Sequence, residues 1–302
     1  MRNAACRSWL NLASAADFVF LTGDLGFQAL EPLKEAAGPR FINAGIAEQN
    51  MVSVAAGMAR TGLRPWVYSI APFCYARPFE QIRNDVCLHH LPVQLVGNGG
   101  GFGYGPMGAT HHAIEDYGVL LALQNLQVWV PAFAEDVEPI VASMAKSDSP
   151  GYLRLGRSEK PNDFIVPTYQ TWRKIVDGNG PVMVVVGPIA GTLIEPALHI
   201  APAQRPEIWV LSRLPILWEP IPPEFFAAVE TKKDLAVVEE HVSQGSVGQS
   251  LAYLFWIQGH RIRRYRHFHA TGYISGTYGS QTFHRKENGL APDQILHSLV
   301  NG

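Results

Sequence analysis

Short apolar runs alternate with stretches of helical periodicity along most of this chain, and that rhythm limits the possible folds more than any other feature. Residues 18–22, 40–43, 65–68, 92–96, 126–130 and 151–155 each read as a buried strand. Residues 28–37, 47–61, 78–90, 113–124 and 134–146 between them carry apolar positions at helical spacing. Alternation of this kind predicts an α/β fold, a mostly parallel sheet with helices on both faces. Residues 158–181 break the rhythm with Pro161, Pro167 and the run Asp177-Gly178-Asn179-Gly180-Pro181, a polar and turn-rich connection with room for one short strand. A second series follows: strands at 182–186, 208–211 and 235–238, helices at 223–230 and 245–257. The expectation is two open sheets, in a first domain over 1–160 and a second over 181–302, joined by a linker over 161–180. A chain of 302 residues fits two domains of roughly 100–200 residues each.

The balance of charge excludes several functions. Lys and Arg number 24 against 26 Asp and Glu, so there is no electrostatic footprint for nucleic acid. The one dense basic run, Arg261-Ile262-Arg263-Arg264-Tyr265-Arg266, alternates with apolar residues like a strand. No apolar run approaches the roughly 20 residues needed to span a bilayer. The apolar stretch near the start (Trp9, Leu10, Leu12) is short and interrupted, unlike a secretion signal. Cys6, Cys74 and Cys87 lack metal-site spacing and suit a reducing compartment, so a cytoplasmic protein is expected. Only 17% of residues are charged and 47% are hydrophobic, which hints at surface buried against a partner.

Open α/β sheets place function in loops at the carboxyl ends of strands. Glu48 is the most informative residue there, just past the turn Asn43-Ala44-Gly45 at the start of an apolar helix. A carboxylate at that point commonly serves only as a cap or a partner of the helix dipole. The glycine-rich loop 97–108 holds GxGxG spacing, but Pro106 follows instead of a helix, so it is not a dinucleotide fingerprint. Its glycines suit close approach of backbone to a ligand or another chain. His111 and His112 are adjacent and do not share a face, which argues against a joint metal. One of them suits acid–base chemistry or substrate binding, against the plainer alternative of a polar helix start. Phe73, Tyr75 and Phe79 around Arg77 read either as packing or as a stacking shelf for a planar heterocycle with a cation beside it. Arg154 and Arg157 close a strand on opposite faces, one suited to an anion and the other to a salt bridge. The loop after residue 186 and Glu239-Glu240-His241 are the equivalent strand ends of the second domain.

These loops, taken in order, carry a family resemblance. Thr22-Gly23-Asp24-Leu25-Gly26, Phe41-Ile42-Asn43-Ala44-Gly45-Ile46-Ala47-Glu48-Gln49-Asn50-Met51, Arg77-Pro78-Phe79-Glu80-Gln81-Ile82-Arg83-Asn84, Gly108-Ala109-Thr110-His111-His112 and Tyr152-Leu153-Arg154-Leu155-Gly156-Arg157 resemble the C-terminal half of transketolase-type thiamine diphosphate enzymes. The likeness runs from about Phe18 onward, is strongest over 18–157, and includes Val237-Val238-Glu239-Glu240-His241 with Gly245-Ser246-Val247-Gly248. The chain is most similar to the small subunit of split transketolases, which holds only pyrimidine-binding and C-terminal domains.

The resemblance implies specific roles. Glu48 matches the glutamate that hydrogen-bonds the aminopyrimidine of thiamine diphosphate and controls its tautomer, while the cofactor performs the carbanion chemistry. Ile46, Arg77 and either Phe73 or Tyr75 would line the pyrimidine. His111, at the reacting centre, would bind substrate oxygens or assist proton transfer as a catalytic residue beside Glu48; His112, Asp24 and Arg157 would meet substrate, Arg157 at a phosphate or else at the subunit interface. Two departures stand out: Met107 replaces an acidic residue that contacts a donor hydroxyl, and Asn98-Gly99-Gly100 replaces a histidine. Both remove polar sugar contacts and point to an unusual sugar. The Gly-Asp-Gly motif that holds magnesium in the family has no match here, and no metal ligands are expected in this chain. The resemblance therefore implies a partner carrying the diphosphate-binding domain, Mg²⁺ held mainly there, and a heterotetramer of two of each chain. A two-carbon ketol transfer is the first reading. A 2-oxo acid dehydrogenase β subunit, a deoxyxylulose-phosphate-synthase-like carboligase and a non-catalytic partner are the alternatives.

Overall fold

A computed structural model of the chain describes residues 1–26 and 29–301, the last without its side chain. Among the described residues, twelve strands fall into two sheets. The first holds β1 (Phe18–Thr22), β2 (Phe41–Asn43), β3 (Arg64–Ile70), β4 (Gln94–Asn98), β5 (Gln127–Trp129) and β6 (Gly151–Leu155), all parallel. The second holds β7 (Trp172–Val176), β8 (Val182–Val186), β9 (Glu207–Leu211), β11 (Asp234–Val242) and β12 (Arg264–Ala270) in the order β12-β11-β8-β9-β7, with only β7 antiparallel. The two-residue strand β10 (Arg213–Leu214) leaves the second series and pairs antiparallel with β5, at the edge of the first sheet. The architecture is the expected α/β pair of mostly parallel sheets.

Side chains alternate across the first sheet with period two. Val19, Leu21, Val67, Leu95 and Tyr152 share one core with the inner face of the helix Glu48–Arg60, and this core continues into the second sheet through Val182, Val184, Val237 and Leu211. Phe18, Phe20, Trp66, Tyr68 and Leu153 face the opposite way, onto Trp9 of the helix Arg2–Leu12 and Ile140 of the helix Val137–Lys146. Burial on both faces explains why these strands read as unbroken apolar runs.

Some helices differ from expectation. The stretch 113–124 is helical only over Asp116–Leu120, because Ala113 instead forms an antiparallel bridge with Gly101. The stretch 78–90 is a short helix, Phe79–Gln81, running into a π-helical turn, Ile82–Cys87. The helix placed at 28–37 spans Glu31–Ala37, and its expected start at Gln28 lies outside the described residues. The helices Arg2–Leu12, Ile189–Leu198, Gln281–Glu287 and Pro292–Asn301 are additions that the sequence pattern does not predict. Among the described residues no helix is long and apolar enough to cross a membrane.

The two sheets meet through a buried polar seam. Arg154 and Asp116 lie 2.9 Å apart, Nε to Oδ2, almost wholly buried. The pair is not aligned as a hydrogen bond; Arg154 Nη2 donates instead to the carbonyls of Ala113 and Glu240, each at 2.8 Å. Tyr152 donates to Asp116 at 2.9 Å. Tyr117 donates to Glu239, which also accepts from the backbone of Val247 and Gly248 and pairs with His267 at 2.7 Å. His241 stacks on Tyr117 at 3.9 Å and accepts the Gly118 N–H at Nε2, 3.0 Å away. Glu239-Glu240-His241 is thus interior structure between the sheets, not an open strand-end site.

Burial pushes the imidazoles of His241 and His112 below their ordinary pKa. The unfolded chain then binds protons first as pH falls. Their stabilisation is complete above about pH 6.5 and is lost as pH drops through that value toward the lowered folded values, at about 1.4 kcal/mol per unit of depression. The urea midpoint is therefore expected to fall between pH 7.5 and 5.5. In His241→Gln that dependence should flatten, and an equal slope in the variant would contradict the assignment.

Candidate active site

The carboxyl ends of β1 to β4 and the loop 97–112 form one edge of the first sheet. Asn43 ends β2, and its side-chain oxygen accepts the N–H of Gly45 at 2.9 Å, folding the turn back on itself. Gly45 has φ 68°, a conformation glycine adopts without penalty. The turn delivers Glu48 to the first position of the helix Glu48–Arg60, where it is buried. No side chain caps this helix. The Glu48 carboxylate reaches across to Arg77 Nη1, 2.8 Å away. The Arg77 guanidinium lies 3.9 Å over the ring of Phe73. The Phe73 ring meets His111 edge-on at 5.1 Å, and His111 Nδ1 is 3.0 Å from the Thr110 hydroxyl. Glu48, Arg77, Phe73 and His111 therefore form a continuous line, acid to cation to ring to imidazole.

The structure separates residues that the sequence left together. Tyr75 is buried in the core, its hydroxyl donating to Glu115 at 3.3 Å, so Phe73 and not Tyr75 faces the site. His112 does not join His111; it is buried against Phe102, Tyr273 and His284. Ile46 is 82% exposed on the turn before Glu48. Asp24 is exposed and accepts from the Asn43 amide at 3.3 Å. Arg154 is the salt-bridging arginine of its pair. Arg157 is 80% exposed and lies 4.0 Å from Glu159, so its guanidinium is open to an anion. Met107 is half exposed beside the loop, and Asn98 donates to the Tyr104 hydroxyl at 2.7 Å. Among the described residues no group of three His, Cys, Asp or Glu side chains could hold a metal ion.

Part of the glycine loop packs against the C-terminal region of this chain. A Cβ on Gly105 would lie 2.7 Å from the backbone of Gly279, Ser280 and Gln281, and one on Gly108 would strike the ring of Tyr278. Sequence reasoning alone misses Gln281, His284 and Arg285, which hold this contact. Ser280, whose side chain accepts from Phe283 N–H at 3.1 Å, is the helix-start signal that marks them.

The family profile described as "Transketolase, pyrimidine binding domain" matches residues 13–162. The chain is 30% identical over 266 residues to an apulose-4-phosphate transketolase subunit of Actinobacillus succinogenes, covering 85% of this chain and 83% of that one. The chain belongs to the transketolase family. It is also 27% identical over 279 residues to a 1-deoxy-D-xylulose-5-phosphate synthase of Clostridium perfringens, but spans only 44% of that longer protein. A solved structure titled "Split gene transketolase, inactive beta4 tetramer" superimposes with a TM-score of 0.81 at 26% identity, over 99% of this chain and 96% of that one.

Membership of the transketolase family implies use of thiamine diphosphate, and the residues fit its aminopyrimidine. Arg77 acts as a stand-in: a flat, nitrogen-bearing cation lying over Phe73 and donating to the buried Glu48 carboxylate. A planar ring with donor nitrogens makes the same two demands on a pocket, one aromatic face and one carboxylate.

Proposed function

We propose that this chain is the pyrimidine-binding subunit of a two-subunit transketolase-like enzyme that moves a two-carbon ketol unit from a ketose or ketose phosphate to an aldehyde. The observation that carries this reading is the line Glu48–Arg77–Phe73–His111 at the carboxyl edge of the parallel sheet. Thiamine diphosphate, when bound, supplies the carbanion chemistry. Glu48 holds a proton at its carboxyl toward the pyrimidine nitrogen, Phe73 stacks on the ring in the place Arg77 now fills, and the displaced Arg77 and Ile46 flank it. His111 hydrogen-bonds substrate oxygens, Arg157 takes a terminal phosphate, and Asp24 meets a hydroxyl. Residues 1–160 form the pyrimidine domain and 181–302 the transketolase C-terminal domain.

Two features support an unusual sugar. Met107 offers no acceptor to a donor hydroxyl, and the Asn98 amide is spent on Tyr104. The name of the Actinobacillus relative, an apulose-4-phosphate transketolase subunit, supports the same reading. That relative is named as one subunit of its enzyme, and the solved structure comes from a split gene; both support a partner subunit. In this reading the partner holds the diphosphate and Mg²⁺, and the assembly is a cytoplasmic heterotetramer. The likeness to deoxyxylulose-phosphate synthases favours carboligation as a second reading, distinguished by product when pyruvate is offered as donor.

Calorimetry tests the assembly directly. The isolated chain should give no binding heat with thiamine diphosphate and Mg²⁺, and the chain mixed with a diphosphate-domain subunit should bind at micromolar Kd. Tight binding by the isolated chain contradicts the split-enzyme reading. A donor–acceptor screen with the complete enzyme then identifies the sugar, and efficient use of xylulose 5-phosphate would count against an unusual one.

A further inference from the structure

We infer that His284 is a positioning residue for the loop that carries His111, holding it from the far end of the chain. The Gly105 carbonyl accepts from two imidazoles, His112 Nε2 at 3.4 Å and His284 Nε2 at 3.3 Å. His284 is buried, stacked on Phe102 and edge-on to His112, whose rings lie 5.4 and 4.7 Å away. Both of those neighbours belong to the segment 102–112, so His284 grips the loop at a carbonyl and at two side chains. The helix that bears it is itself anchored. Gln281 donates to Glu240 at 3.1 Å, and Arg285 pairs with Glu240 and with Glu159, the latter at 2.5 Å. Glu240 is on β11 and nearly inaccessible, so the anchor does not move with solvent. The Gly105 backbone against 279–281 and the ring of Tyr278 against Gly108 complete the contact. Between Gly108 and His111 there is one short 3₁₀ turn, Ala109–His111, so displacement at Gly105 and Gly108 is passed to the imidazole.

The inference rests on the reading of His111 as a substrate contact, but its first test does not. Hydrogen exchange on the full chain should show the amides of 105–112 exchanging about fivefold faster in His284→Phe, which keeps the ring and loses the donor. Protection should return in His284→Gln, whose amide donates to the same carbonyl. Unchanged exchange in a folded His284→Phe overturns the clamp, as does equal loss in both variants. Should His284→Phe fail to fold, Tyr278→Ala, at an exposed side chain, is expected to loosen the same segment alone, and unchanged exchange there overturns the clamp too. In the complete enzyme, His284→Phe should raise KM several-fold with kcat little altered. A loosened loop with unchanged KM leaves the clamp standing and overturns its link to substrate through His111.

Discussion

Glu48→Gln, in the chain assembled with a diphosphate-binding partner, is expected to lower kcat by about 10²- to 10⁴-fold, the span typical of a lost general acid–base group. Gln has the shape of Glu and still accepts a hydrogen bond from Arg77, but its amide cannot exchange a proton with a ring nitrogen. Only one interaction with a half-exposed guanidinium weakens, so the fold should be nearly unaffected. The measurement is steady-state turnover of the best donor–acceptor pair, with circular dichroism melting as the control for folding. A variant that melts normally and turns over like wild type would remove Glu48 from the chemistry, and with it the main support for the proposed function.

Arg154→Met should produce the largest loss of stability. The substitution keeps an unbranched apolar stem and deletes a charge that lies 2.9 Å from Asp116 with both groups almost inaccessible. Among the described residues Asp116 would remain buried with only Tyr152 donating to it, and the carbonyls of Ala113 and Glu240 would lose a donor. Burial opposes the Arg154 charge, but Asp116, together with Tyr117, Tyr152 and Glu240, more than compensates, so the guanidinium pKa rises and the charge depends on these neighbours. Removing one partner of such a pair costs about 3–5 kcal/mol. For a chain of this size the melting temperature should fall on the order of 10 °C. A drop of only a degree or two in calorimetry would mean that water enters the seam and replaces the arginine. The double variant Asp116→Leu with Arg154→Met should recover part of the loss, because no charge is then stranded.

The fold was legible where burial alone decides it. Residues 151–155 form a strand with the expected limits because both faces are covered and no polar residue except Arg154 interrupts them. The segment 113–124 was not legible in the same way. Its apolar spacing suits a helix, but Ala113 bridges to Gly101 and His112 is drawn into a ring cluster, contacts that local periodicity does not encode. Glu48 was visible because a strand, a glycine turn and a helix start are all local signals. Choosing Phe73 over Tyr75 needed the position of Glu115, forty residues on, which takes the tyrosine hydroxyl. The packing of the glycine loop needed residues 278–285, far along the chain, which close on it at Gly105 and Gly108.

The two-residue strand Arg213–Leu214 has a consequence for how such a chain can change over evolutionary time. It crosses from the second half to finish the border of the first half, bonding to the strand Gln127–Trp129. Cutting between the halves would leave that border as a bare edge, open to pairing with any stray strand. The halves are stitched together as well as stacked. Shuffling of either one into another protein is thereby discouraged, and change within the loops is easier to reach than exchange of a domain.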